Sequence, residues 1–474
     1  MRTYSFLDTV GFPLYEQLYK NIKKDILEGE FKPDEKLPSK RNFAKNLNIS
    51  VITVENAYSQ LMAEGYIYSL ERKGFFVSDI QNLEIPASKL SFKSVKKAVE
   101  VKEDLIIADF ASNRAIKEKF PFTVWAKLIR QCLYDYQESL LSDLNSGGSM
   151  ILREAIAKHL LEFRAMNVCP EQIIIGAGTE YLYGQLVQLL GQDKIYGVEN
   201  PGYSKIVQVY RANSAKLKYI AFDKHGIDID ELERKYVNIM HTSPSHQFPT
   251  GLVMPASKRY ELLNWASADT NRYIIEDDYD SEFRMTGRPI PTLQSIDKGE
   301  KVIYMNSFSK SITNALRISY MVLPKHLLKV YNENLSFYTC PVTTMIQLSL
   351  ARFIEEGYFE KHINRMRNFY RKQRDFLLEL IKNSEMSKYA VISEEDAGLH
   401  FLLNLKIDCS DRQFKDRMRK RGVRICAISE YYHSFNDDYR HDFIINYSSL
   451  TKDRMKTAVK LLNEEVLLLK NGGL

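Results

Sequence analysis

The stretch "NSFSKSITNALR" sets Lys310 after Ser307 and Ser309 and seven residues before Arg317. A lysine amine can form an imine with a carbonyl compound, while hydroxyls and a guanidinium can hold a phosphate. Read alone, the stretch is far more often a solvated basic loop. A second stretch, "YIIEDDYDSEF", puts Asp277 at the end of an apolar run with Tyr279 two residues on. The four acids of its "EDDYD" portion would also suit a metal site, but the buried run before them and the single tyrosine suit the holding of an organic ring. In "QIIIGAGTEYL" a strand-like run enters a glycine turn and then a helical pattern, so Gly178 and Thr179 offer backbone N–H groups to an anion. "ENPGYSK" adds Tyr203 as an aromatic platform, and "SPSHQFPTG" adds His246 and Gln247.

These groups match what pyridoxal 5'-phosphate asks of a protein: an amine, a carboxylate for the pyridine nitrogen, a donor for the ring hydroxyl, an anion cradle and a ring platform. Lys310 is the Schiff-base amine and Asp277 the carboxylate. Tyr279 is the donor, with His246 and Gln247 near the ring hydroxyl. Gly178, Thr179, Ser307, Ser309 and Arg317 form the cradle, and Tyr203 the platform.

Such groups need rigid elements. From about residue 105 short apolar runs ("QIIIGAG", "KIYGV", "KLKYIAF", "VNIMHTS", "YIIEDD", "KVIYMNS", "ISYMVL") alternate with helical periods. That alternation predicts an α/β domain with a mainly parallel sheet, in which ligands sit at the strands' C-terminal ends. A smaller α/β subdomain, about 385–474, follows a long helical region. It carries "GLHFLLNLKI", "GVRICAI" and "FIINYSSL" as strands and a last helix around "DRMKTAVKLLNEEVLLL".

The first 78 residues differ. Leu14, Leu18, Ile22 and Ile26 recur every fourth position before Gly29, Ser39 can cap a short second helix, and Val54, Ala57, Tyr58, Leu61 and Met62 line a third that ends at Gly65. "YIYSL" and "FFVSD" then read as a hairpin. Three helices and a hairpin are the plan of a winged helix-turn-helix, whose last helix enters a DNA groove. Residues 1–78 carry 11 Lys/Arg against 10 Asp/Glu, so only local placement speaks for DNA. Lys36, Lys40, Arg41 and Lys45 provide it, with no acid between Lys36 and Val54, and Arg72 and Lys73 sit at the wing tip. Residues 79–104, lysine-rich with scattered serines, read as a linker to an effector domain at 105–474.

The chain's 474 residues require two or three domains. Its five cysteines are odd in number and widely spaced, which argues against a disulfide framework or zinc site. No signal-peptide core and no long apolar run is present, so a cytoplasmic protein without a membrane span is expected. A net charge of +6 excludes nothing by itself.

The stretch "KLPSKRNFAKNLNISVITVENAYSQLMAEGYIYSLERKGFFV" resembles the winged-helix domain of GntR-type bacterial regulators nearly throughout. Ser50-Val51 stands where that family usually has Ser-Arg. The resemblance implies DNA contacts from Ser39, Arg41, Ser50, Thr53 and Lys73, beside Lys40 on the basic face. From about 105 to 465 the order "SGGSMILREAIAKHL", "GAGTEYL", "NPGY", "SHQFPTG", "EDDYDSEF", "SFSKSITNALR" resembles the fold type I aminotransferases, whose main sheet has seven strands. The fusion of the two, with "HQFPTG" and "EDDYDSEFR", resembles the MocR/GabR-type transcription regulators. That implies a pyridoxal-phosphate-bound homodimer, exchanging its DNA-binding domains head to tail, which senses a small molecule and acts on a double-stranded DNA operator.

The chain departs from the aminotransferases at the substrate grip. Ile444 stands at about the place of the carboxylate-binding arginine, and Asp143 and Leu144 near that of a cross-subunit tyrosine. Arg424 and Lys205 are the substitute effector clamp, Lys205 standing where the γ-aminobutyrate-sensing member has an arginine. A sensor with at most residual transamination is therefore expected, the alternative being a bifunctional regulator with real turnover. The effector is either an amino acid or amine, or pyridoxal phosphate itself.

Overall fold

The computed structural model describes residues 4, 13–80, 106–112, 119–142, 145–285, 290–396, 398–433 and 440–470. The chain divides into two compact units, Met1–Val101 and Lys102–Leu474. Residues 81–105, which hold most of the expected linker, lie outside the described residues, as do Asp143 and Leu144.

In the first unit, α1 (Leu14–Leu27), α2 (Lys40–Leu47) and α3 (Val51–Ala63) precede a hairpin of Ile67–Leu70 and Gly74–Val77. The four-residue spacing buries Leu18, Ile22 and Ile26. Leu14 is 46% exposed, because the first turn of α1 runs past the core, and Tyr19 is buried instead. The Ser39 and Ser50 hydroxyls accept from the Asn42 and Thr53 amides and cap α2 and α3. Val54, Ala57, Tyr58 and Leu61 of α3 meet Phe43 and Ala44 of α2 in one apolar cluster.

The second unit holds the large sheet, with strand order Ile173–Gly176, Ser319–Val322, Val302–Ser307, Tyr273–Asp277, Ile239–Thr242, Ile195–Asn200, Lys216–Asp223 and Gly226–Ile227. Seven of these strands fall on the seven apolar runs. The eighth is two residues long and folds back antiparallel on Lys216–Asp223. The consecutive pairs from Val302–Ser307 to Lys216–Asp223 are parallel, and Ser319–Val322 is antiparallel to both neighbours. Both the edge strand Ile173–Gly176 and the interior strand Val302–Ser307 are buried at every position. Strands covered on both faces read as unbroken apolar runs, and these do.

Register positions the chemistry. Met305 pairs with Asp277, so the chain leaves both strands at the same sheet edge, one towards Lys310 and the other through Asp277. Ser319 pairs with both Ser307 and Gly176, which brings Arg317 beside the turn at Gly178.

The smaller sheet has the order Ala390–Ser393, His400–Leu405, Asp442–Asn446, Cys426–Ala427, all antiparallel. Val423–Arg424 instead pairs in parallel with Ala108–Asp109. The segment before the large sheet thus joins the smaller subdomain, which sequence order does not suggest. The last helix, Lys452–Lys470, closes the unit.

Candidate functional site

Asp277 is buried at its strand end, and its two carboxylate oxygens differ. Oδ2 accepts the Tyr183 hydroxyl and lies 3.6 Å from His241 Nε2. Oδ1 is buried without a hydrogen-bond partner among the described residues. Buried acceptors are rarely left unsatisfied, so Oδ1 is an acceptor awaiting a donor. A protonated pyridine nitrogen is such a donor, and the site fits the cofactor at this atom. Tyr183 packs edge-on against His241, whose Nδ1 lies 2.7 Å from the Tyr210 hydroxyl. Sequence reading missed all three. Tyr183 falls one helical turn after Thr179, and His241 pairs with Ile275, which shares a sheet face with Asp277.

Lys310 lies in the short helix Phe308–Ser311 that follows the neighbouring strand. Burial pushes its amine down to about 8, against the opposing charge of Asp280. Only the neutral amine attacks a carbonyl, so capture of added pyridoxal phosphate by apo-protein should rise with pH to half-maximum near 8. Absorbance followed at a series of pH values tests this. A half-maximum near 10.5, the ordinary lysine value, would place the amine in water.

Burial, reinforced by the charges of Asp280 and Asp277, holds the Tyr279 phenol well above its ordinary range, so it keeps its proton. Its hydroxyl lies 3.0 Å from His246 Nδ1, which also lies 2.9 Å from Asp280 Oδ2. His246 is aligned further by Gly398, where an added Cβ would stand 1.9 Å from His246 Cε1 at a φ of +69°.

Of the residues expected to hold a phosphate, Gly178 and Arg317 lie side by side. Gly178, with φ of 95°, precedes the helix Thr179–Leu190, and a Cβ there would stand 2.6 Å from Arg317 Nη2. Ser307 Oγ accepts from the Ser309 amide at 3.1 Å, which fixes the loop before Lys310. The Arg317 guanidinium donates to Ala177 O at 3.2 Å and Glu180 Oε2 at 3.0 Å. Glu180 also receives the Lys205 ammonium. Burial works to raise the Glu180 carboxyl, but Lys205 and Arg317 outweigh it and hold it low.

Other expected residues stand differently. Gln247 does not present its amide to a ligand. Nε2 donates to Glu199 Oε2, Pro201 O and Phe248 O, and Oε1 accepts from Thr250, so this residue braces two proline loops. Tyr203 is 45% exposed and meets Phe248 edge-on at 5.7 Å. Lys205 is committed to Glu180, and Arg424 to Asp109 at 3.5 Å. Ile444 packs with Leu402 and Ile428 in a small apolar cluster, with no charge to grip a carboxylate.

In the winged-helix unit Arg41 and Lys73 are exposed. Lys40 is held by Glu55 at 2.7 Å and lies over the Phe75 ring, which takes it out of the expected basic face. The Ser39 and Ser50 oxygens accept at the caps, and Ser50 Oγ also lies 2.8 Å from Thr53 Oγ1.

Residues 106–462 match the family described as aminotransferase class I and II, and residues 14–77 match the bacterial regulatory proteins of the gntR family. Fold and match together make the chain a member of the MocR/GabR-type helix-turn-helix transcriptional regulators, with a fold type I aminotransferase domain. It is similar to the HTH-type transcriptional regulator YdeL of Bacillus subtilis, 39% identical over 425 residues that cover 90% of this chain and 91% of the relative. It is 26% identical over 461 residues to the pyridoxine biosynthesis transcriptional regulator PdxR of Corynebacterium glutamicum, covering 95% of this chain and 96% of that one. The fold is that of kynurenine aminotransferase from Pyrococcus horikoshii, at a TM-score of 0.68 and 24% identity over 77% of this chain and 92% of that one.

Proposed function

We propose that this regulator binds pyridoxal 5'-phosphate covalently through Lys310 and that the bound cofactor is itself the signal that alters operator binding. The observation that carries the cofactor reading is Asp277 Oδ1, a buried acceptor without a partner among the described residues, at the sheet edge where Lys310 also lies. When bound, the cofactor supplies an electron-withdrawing ring and a phosphate. Asp277 would accept from its ring nitrogen, Tyr279 would donate to its ring oxygen, Gly178, Thr179, Ser307, Ser309 and Arg317 would hold its phosphate, and Tyr203 would serve as the ring's platform.

The cofactor is favoured over an amino acid as signal because the place of the aminotransferases' carboxylate-binding arginine is apolar and the two substitute cations face carboxylates. Lys205 is paired with Glu180, Arg424 with Asp109, and Ile444 is apolar. The pyridoxine-biosynthesis role in the name of one relative points the same way. Sensing needs only an affinity difference between two states, whereas transamination needs a second substrate to be gripped.

DNA recognition rests on Arg41, Ser39, Ser50, Thr53 and Lys73. Arg41→Ala should weaken binding to duplex DNA and reduce the slope of log affinity against log salt by about one phosphate's worth. Filter binding over a salt series checks this, and an unchanged slope would remove Arg41 from the interface. The reading includes a cytoplasmic homodimer with exchanged DNA-binding units. Exposed Phe122, Tyr134, Leu141 and Phe337 supply apolar surface for a second copy.

A further inference from the structure

A cavity of about 220 Å³ borders the site at His246 and Asp280 but is built for a different ligand. Among the described residues its lining includes Arg164, Arg284, Arg367 and Arg371, with Asp280 as the carboxylate. Its lining residue Arg164 is held by Asp278. That carboxylate takes the Arg164 guanidinium and the Tyr304 hydroxyl, whereas Asp277 takes Tyr183 and faces His241.

Three lining side chains keep buried nitrogens without a hydrogen-bond partner among the described residues: Arg164 Nε, Arg284 Nε and His246 Nε2. The Arg164 side chain is 10% exposed and that of His246 is 3% exposed. Arg367 and Arg371 stand one turn apart on the helix Tyr358–Lys382, where like charges repel. Arg367 donates to Glu282 O at 3.0 Å and Arg371 to Met285 O at 3.0 Å. Neutral carbonyls orient these guanidiniums without cancelling their charge. Buried donors without partners, beside guanidiniums oriented by carbonyls, are complementary to an oxyanion where they converge on a cavity.

We propose that this cavity binds a small oxyanion, a phosphate or a short carboxylate, at a site separate from the cofactor cradle. The inference does not rest on cofactor binding. It places a second input one residue from Tyr279, since His246 borders the cavity through its ring and reaches the Tyr279 hydroxyl at 3.0 Å.

Calorimetric titration of the full-length protein with inorganic phosphate and, separately, with succinate tests it, at constant ionic strength and with pyridoxal phosphate in excess to occupy the Arg317 cradle. Saturable binding of at least one anion with Kd below about 1 mM is expected. Arg371→Gln, on the exposed rim, and Arg284→Gln should each weaken it at least tenfold, and Arg317→Gln should leave it unchanged. Binding of phosphate alone assigns the site to phosphates, and binding of succinate assigns it to carboxylates. Absence of saturable binding by both, or binding lost in Arg317→Gln and kept in Arg371→Gln, overturns the proposal. Cofactor absorbance recorded on the same samples reports the Lys310 reading separately.

Discussion

Lys310→Ala should eliminate covalent cofactor attachment altogether. Wild-type protein incubated with pyridoxal phosphate, reduced with borohydride and denatured should carry one cofactor mass per chain, located on the peptide containing Lys310. The variant should carry none, and its visible absorbance should disappear on dialysis. The size of the effect follows from the site's chemistry, because one amine follows the central strand and it alone is assigned the covalent role. Its burial, which pushes it down to about 8, makes it nucleophilic near neutral pH where surface lysines are protonated. The truncated side chain sits in a four-residue helix and leaves the buried strand before it untouched, so folding should survive. A variant that keeps its absorbance after dialysis would sink the assignment.

Asp277→Ala should weaken cofactor binding by about 3 kcal/mol, on the order of a hundredfold in Kd. Removing the carboxylate leaves a ring nitrogen in a buried pocket with nothing to accept its proton. It also strips the Tyr183 hydroxyl of its acceptor. Asp277→Asn separates charge from shape, since the amide retains the volume and one acceptor oxygen. Fluorescence titration of apo-protein should rank wild type tightest, Asn intermediate and Ala weakest. Equal affinities for all three would mean that the unpartnered Oδ1 serves no ring nitrogen.

The sheet was legible because its physics is local. A strand buried on both faces must be apolar throughout, and the seven runs became strands of this kind except Lys216–Asp223, which exposes Lys216 and Lys218. Lys310 and Asp277 were found because each follows one of them. Gly226–Ile227 offered no pattern, since two residues cannot show a period. The parallel pairing of Ala108–Asp109 with Val423–Arg424 depends on tertiary packing across more than three hundred residues of chain, for which no local signal exists.

Among the site residues, sequence type indicated chemistry without indicating to whom a group is bound. Gln247 sits in a motif beside the expected ring hydroxyl, yet its amide serves Glu199 and backbone carbonyls. Lys40 lies in an acid-free stretch, but Glu55 reaches it from the next helix. Lys205 is neutralised by Glu180, whose position in "GAGTEYL" marked only a helix start. Arg164 and Asp278, separated by 114 residues, form a buried pair that neither residue's neighbourhood announces.

The account's central claim is that occupation of the Lys310 site changes DNA binding. Its most direct test is the affinity of the full-length apo-protein for a duplex selected by it from a random pool, measured with and without pyridoxal phosphate, in wild type and Lys310→Ala. The account predicts at least a fivefold change in Kd with cofactor alone in the wild type, about 1 kcal/mol of coupling, and none in the variant. A change that requires an added amine would move the signal from the cofactor to its amine adduct. The same affinity in the presence and absence of cofactor and amine would contradict the claim.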